Sequence, residues 1–156
     1  MAAIVGLLGP GGLLARLLDS LQPLFALATR LWVSWQFLKS GLLKVKDWES
    51  TLFLFQEEYR VPLLSPQLAA LAGTAGELVF PFLLGIGLFG RFAALGLSAV
   101  NVLAVVSYAH VLLESGFEAA LGQHVLWGFM LLVVAIYGPG PLSADGLIAA
   151  RTRART

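Results

Sequence analysis

Four apolar stretches, each about as long as a bilayer is thick, constrain this chain more than any other feature. A helix rises about 1.5 Å per residue, so about 20 apolar residues cross a hydrocarbon core of about 30 Å. Residues 21–43 form the first stretch, with Arg30 inside it and Lys39 near its end. Residues 67–89 form the second, with Glu77 as its one formal charge. Residues 92–113 and 119–138 contain no Asp, Glu, Lys or Arg. In lipid the backbone must satisfy its own hydrogen bonds within the segment, which makes each stretch a helix. The expected fold is all-α: a four-helix transmembrane bundle. Composition agrees. The 156 residues are 58% hydrophobic and 12% charged, against roughly 45–50% and about 25% in soluble domains. Mean hydropathy is +0.85. A soluble domain and a disordered chain are both excluded. A net charge of +1 offers no field for nucleic acid. The chain has no cysteine, so disulfides, thiolate metal sites and thiol chemistry of its own are excluded.

Punctuation residues mark the ends of the stretches. Pro23 and Pro66 suit first helical turns, where a missing N–H costs little. Gly90-Arg91 implies a tight hairpin between the second and third spans, and Glu114-Ser115-Gly116 separates the third from the fourth. The run from Tyr137 to Asp145, YGPGPLSAD, cannot continue a helix. Three regions are expected: an N-terminal interfacial segment at 1–20, a membrane domain at 21–145 and a basic tail at 146–156. No basic n-region precedes Arg16, so the N-terminal segment reads as an interfacial helix and not as a signal peptide. Positive charges divide almost evenly between the two sides. The compact Arg151, Arg153 and Arg155 tilt the expectation towards both termini in the cytoplasm.

Polar residues at membrane depth require an explanation, because a charge at the bilayer centre costs at least about 2.5–3.5 kcal/mol. Arg30 and Glu77 lie near the middles of adjacent antiparallel spans, so the spacing predicts an intramembrane ion pair. Such a pair serves either as a clamp on helix register or as part of a proton or substrate site. Asn101, with Ser98 and Tyr108 on its face, is expected to form an interhelical hydrogen bond or to line a polar interior. Small residues on the second span (Ala69, Ala72, Gly73, Ala75 and Gly76) allow close helix approach.

His110 and His124 flank the loop between the third and fourth spans, at the same expected depth. The first loop brings Glu57, Glu58 and Tyr59 to that side. Glu58, Tyr59, His110 and His124 are therefore candidates for a quinone or other ligand site, where imidazole and carboxylate would manage protons. Glu57, Glu58, His110 and His124 are weak metal candidates. The plain alternative is two interfacial histidines anchoring helix ends. The loop itself, KVKDWESTLFLFQEEYRVPLLSP, carries Leu52, Phe53, Phe55 and Tyr59 on an apolar side. It is expected to lie along the interface as an anchor or as a lid over the site.

These residues carry a resemblance. FLKSGLLKVKDW (37–48), the stretch from Phe55 to Leu97 and HVLWGFMLLVVAIYGPGPLSAD (124–145) resemble the DoxX family of small four-helix membrane proteins. Glu58-Tyr59, Val61-Pro62-Leu63-Leu64, Glu77-Leu78, Gly87-Leu88, Arg91, Gly138-Pro139-Gly140, Ser143 and Asp145 fit its pattern. The first 20 residues or so and the second half of the third span, with His110, fall outside it. The resemblance implies membrane redox chemistry, because family members include a thiosulfate:quinone oxidoreductase subunit and parts of complexes linked to oxidative-stress defence. The expectation is a quinone-linked redox subunit, or an accessory of a membrane oxidoreductase complex, in the inner membrane of a bacterium. Quinone is the expected cofactor, with a metal as the weaker alternative. Expected contacts are the lipid bilayer, a redox-enzyme partner and further copies of the chain. Two other readings stay open: a non-catalytic scaffold that recruits a partner, and a path for a small molecule or ion past Arg30, Glu77 and Asn101.

Overall fold

The first apolar stretch proves to be part of a much longer helix. In the computed structural model, which describes residues 6–7 and 9–155, helix α1 runs unbroken over Leu13–Lys46. The expected separate interfacial helix at its N-terminus is therefore merged into α1 from Leu13 onward, and residues 1–5 and 8 lie outside the described residues. Pro23 is interior to α1 and not at its first turn. The remaining helices are α2 (Trp48–Glu57), α3 (Pro66–Ile86), α4 (Gly90–Ser107), α5 (Ala109–Leu112), α6 (Glu118–Tyr137) and α7 (Ala144–Arg153).

Three of these, α3, α4 and α6, are long and apolar enough to cross a membrane. At 34 residues, α1 is about 51 Å long. Its polar content, including Gln22, Arg30, Gln36 and Lys39, dilutes its hydropathy. The bundle core is drawn from all four: Val33 and Phe37 of α1, Leu84 of α3, Ala93, Ala94 and Leu97 of α4, and Leu131 and Val134 of α6. Most other large apolar side chains point outward, Phe25, Phe129 and Ile136 among them. An outward apolar shell around a small packed core is what a chain solvated by lipid requires.

Local chemistry sets the helix ends. The Asp47 carboxylate accepts from the Ser50 amide at 3.1 Å and from the Ser50 hydroxyl at 2.7 Å, starting α2. These bonds favour the charged form and hold the Asp47 carboxyl below the usual range. Ser65 caps α3, with Pro66 next. Gly87 ends α3 at φ +70°, a conformation that suits glycine. The cap of α4 comes from far away in sequence. Asp145 accepts from the amides of Phe89 at 2.9 Å and Gly90 at 2.8 Å. Its charge also complements the positive end of the helix dipole. In return, Arg91 Nη1 donates to the carbonyls of Ala135 at 3.1 Å and Ile136 at 2.7 Å, capping the C-terminal end of α6. The expected third span is shorter than 92–113. It breaks at Tyr108, and α5 follows as a separate single turn. The break leaves the Ser107 carbonyl to accept the Arg60 amide at 2.9 Å, which ties the α2–α3 connection to the end of α4.

The antiparallel register of α1 on α3 is visible in three contacts. A Cβ on Gly41 would meet Leu78, one on Gly85 would meet Ser34, and one on Gly87 would meet the Arg30 guanidinium. Arg30 therefore sits level with Gly87, about 15 Å along the helix from Glu77. The expected Arg30–Glu77 pair does not form. Matching span midpoints placed α1 too far along α3, because α1 extends well beyond its apolar stretch. Arg30 is instead buried at 1% exposure beside the 138–145 turn, where its Nη2 donates to the Leu142 carbonyl at 2.6 Å.

Gly87 carries both a left-handed backbone and a side-chain-free space filled by Arg30 and Ser143. We expect Gly87→Ala to destabilise the protein by about 3 kcal/mol or more. Gly122→Ala, which enters open space on a helix, should leave stability unchanged or raise it by up to about 1 kcal/mol. Unfolding in detergent, followed by circular dichroism, measures both.

Candidate functional site

Glu77 sits just past the middle of α3, and its carboxylate is satisfied by α1. Lys44 Nζ lies 2.9 Å from Glu77 Oε1 and 2.6 Å from Oε2, and donates to Ser40 Oγ at 2.9 Å. The ion pair is mostly buried, with side-chain exposures of 18% and 11%. Lys44 is near the C-terminal end of α1, and its four-carbon stem lets the ammonium reach the carboxylate. Both carboxylate oxygens are engaged, as a buried charge requires.

The pair forms part of the wall of a cavity of about 290 Å³. This is close to the lower end of the range for small-molecule sites, about 300–1,000 Å³. The apolar wall comes from Phe55 of α2, from Ala69, Ala72 and Gly73 of α3, and from Val100, Leu103 and Ala104 of α4. The polar groups are Ser40, Lys44, Glu77, Tyr59, Ser107, Tyr108 and His124. Small residues at 69, 72 and 73 thus have two uses. Ala69 packs against the loop side, while Gly73 opens space for the cavity.

Aromatic rings stack edge-to-face across the mouth. Phe55 and Tyr59 centroids are 4.9 Å apart, Tyr59 and Tyr108 5.3 Å, and Tyr108 and His110 5.6 Å. The Tyr108 hydroxyl donates to Glu58 across a long 3.4 Å. Burial pushes the Tyr59 phenol above its ordinary range, and nearby Tyr108, Glu77 and Glu58 push it further. Tyr59 is therefore a neutral hydroxyl at physiological pH.

Asn101 and His124 form a two-point clamp between α4 and α6. Asn101 Nδ2 donates to the His124 backbone carbonyl at 2.9 Å, and Asn101 Oδ1 lies 2.8 Å from His124 Nδ1. The His124 ring also packs against Trp127 at 4.9 Å, and Trp127 against Phe37 at 5.4 Å. Ser98, expected on the same face, turns its hydroxyl back to the Ala94 carbonyl at 2.8 Å.

The candidates read from sequence are thus divided. Tyr59 and His124 line the cavity, and Glu58 stands at its mouth through Tyr108. His110 reaches the Tyr108 ring but is not part of the lining. Among the described residues no group of three or more His, Asp or Glu side chains converges on a metal position, so Glu57, Glu58, His110 and His124 are not assembled as ligands. Glu77 belongs to this site with Lys44, whereas Arg30 belongs to the opposite end of α3. Lys44 and Ser40 escaped sequence reasoning as site residues, whereas Tyr108, read on the Asn101 face as lining for a polar interior, does line the cavity. The Ser40–Lys44 spacing of one helical turn at the end of an apolar run was the available signal.

A double-mutant cycle separates the observed pair from the sequence-derived one. Lys44→Met and Glu77→Leu should each lower stability by about 3–5 kcal/mol, because each strands the other charge, and the double variant should lose far less than the sum. The same cycle on Arg30 and Glu77 should show coupling within about 0.5 kcal/mol of zero. Denaturation in detergent gives all the values.

Comparison with known proteins agrees with this architecture. A family model described as DoxX matches residues 25–111, which takes in α2, α3, α4 and most of α1. The match includes His110, which the resemblance had left outside, and stops before His124. An uncharacterized protein of Haemophilus influenzae is 30% identical over 129 residues, covering 78% of this chain and 82% of its own. No solved structure matches the chain. With more than half of its length matched by the family model, and with its apolar helices, the chain is a membrane protein belonging to the DoxX family.

Proposed function

We propose that the protein is a quinone-binding subunit, or quinone-linked accessory, of a membrane oxidoreductase complex. The observation that carries this reading is the cavity: apolar walls contributed in part by α3 and α4, helices long and apolar enough to cross a membrane, with a small set of polar side chains, Tyr59, His124 and the Lys44–Glu77 pair. A quinone headgroup is an apolar ring with two oxygens that exchange protons, and it is matched by such a lining. The cavity holds a headgroup and not a long isoprenoid tail, which would leave between helices into lipid. Bound quinone supplies two-electron chemistry. The chain's own residues hold the headgroup, exclude water and accept or return protons, with Tyr59 as a neutral hydroxyl and His124 as a base. Electrons are exchanged with a redox-enzyme partner docked on the bundle.

In this reading α1 is the fourth span; Arg30 and Ser34 are buried, Arg30 against the 138–145 turn, while Gln22 and Lys39 stay exposed on its outer face. Helix α2 lies in the interface, with Phe53 facing outward into it and Phe55 over the cavity. Both termini face the cytoplasm of a bacterial cell, where Arg151, Arg153 and Arg155 follow the positive-inside bias.

Mass spectrometry of an organic extract tests the reading on protein purified in mild detergent with its native lipid retained. Lipoquinone at close to one per chain is expected. Gly73→Leu should abolish it while preserving the fold, since a side chain at Gly73 enters the cavity and first meets only the Phe55 ring at 3.5 Å. A wild-type preparation rich in phospholipid but free of quinone, and unable to take up added quinone, would overturn it.

A further inference from the structure

The clamp between Asn101 and His124 determines which ring nitrogen of His124 carries the proton. An asparagine amide has one donor end and one acceptor end. The backbone carbonyl of His124 can only accept, so it takes the Asn101 Nδ2 end at 2.9 Å. This orients Oδ1 towards His124 Nδ1 at 2.8 Å. An amide oxygen can only accept, so Nδ1 must be the donor. In the neutral ring the proton is therefore on Nδ1, and Nε2 is a bare acceptor. The imidazole is a half-buried side chain of the cavity lining, held in place by Trp127.

Groups facing the cavity divide accordingly. Lys44 spends its donors on both Glu77 oxygens and Ser40. Tyr108 directs its hydroxyl to Glu58 and Ser107 its own to the Leu103 carbonyl, while the Tyr59 hydroxyl, which can donate or accept, suits either form of the ligand. His124, a lining residue, is left with Nε2 as its ring acceptor, and a ligand that meets that nitrogen must bring an O–H. A quinone carbonyl has no hydrogen to give it and would set two lone pairs against each other. A hydroquinone hydroxyl satisfies it.

We infer that the cavity selects the reduced, hydroxyl-bearing form of its ligand, a hydroquinone, through His124 Nε2, and that Asn101 is the positioning residue that fixes this preference. The inference rests on the proposed quinone site. Asn101 touches no ligand in it and acts only through the imidazole.

The test has two independent readouts on the full chain in detergent. Nitrogen-15 spectra of histidine-labelled protein, above the histidine titration, report the tautomer, with the His124 signal assigned by its loss in His124→Phe. The Nδ1–H form is expected for the wild type, and Asn101→Leu should convert the ring to a mixture or to Nε2–H. Equilibrium binding then compares decyl-benzoquinone with its hydroquinone. The hydroquinone should bind about tenfold more tightly, the effect of roughly one hydrogen bond, and Asn101→Leu should erase that ratio. An Nε2–H tautomer in the wild type, or a quinone bound as tightly as its hydroquinone, would overturn the inference and leave the quinone site standing. Binding of neither form would remove the quinone site itself, and the selectivity with it. Both readouts are decisive on the wild-type chain, so a poorly folding variant does not void them.

Discussion

A single carboxylate in the middle of an apolar helix governs how this bundle is assembled. Glu77 cannot remain charged among lipid tails without a cation, and the cation within reach is Lys44 at the far end of α1. That pairing agrees with the register in which Gly41 packs on Leu78 and Arg30 lies beneath Gly87. The same pairing forms one wall of the cavity, so the feature that aligns the helices also supplies its most polar surface. Buried ion pairs are weak sources of net stability but are expensive to break. They suit a role in specifying one alignment among the several that small, smooth helix faces would tolerate.

The two ends of the bundle are built differently. At the end away from the cavity, Asp145 caps α4, Arg91 caps α6 and Arg30 holds the Leu142 carbonyl. These are bonds between segments remote in sequence, and they close the 138–145 turn against the α3–α4 hairpin. At the cavity end the contacts are aromatic and looser: Phe55, Tyr59 and Tyr108 meet by their ring edges, and a single backbone bond from Arg60 to Ser107 ties the connection down. In the proposed quinone reading, a mouth held mainly by ring contacts suits the entry of a ligand from the membrane.

Small residues illustrate how one sequence property has several structural uses. Gly76 brings α3 against Val100 of α4, and Gly96 accepts the Phe80 ring. Gly73, on the same helix as Gly76 and less than a turn away, lies under the Phe55 ring and helps to make the cavity. Composition alone cannot distinguish these, since a glycine that admits a neighbour and a glycine that leaves room for a ligand look alike in one dimension.

The all-helical class, the three apolar spans at α3, α4 and α6, the end of α6 at Gly138 and the placing of Tyr59 and His124 on one side were legible in the sequence, whereas the end of α3 at Gly87, three residues before the expected Gly90-Arg91 hairpin, was not. The legible features follow from length, hydropathy and backbone chemistry, which are local. The α1 boundary was misjudged because the helix continues past its apolar stretch, and helix continuity depends on backbone bonding and not on hydropathy. The third span was overextended because Tyr108 has no punctuating residue type; Ser107 gains a partner in Arg60 only once the chain has folded back. Tertiary structure alone decided that Glu77 meets Lys44 and not Arg30, that His110 stays outside the cavity, and that Asn101 orients His124. Each of these depends on the relative sliding and rotation of packed helices. A shift of a few residues moves a side chain by a whole turn, and no one-dimensional pattern encodes it.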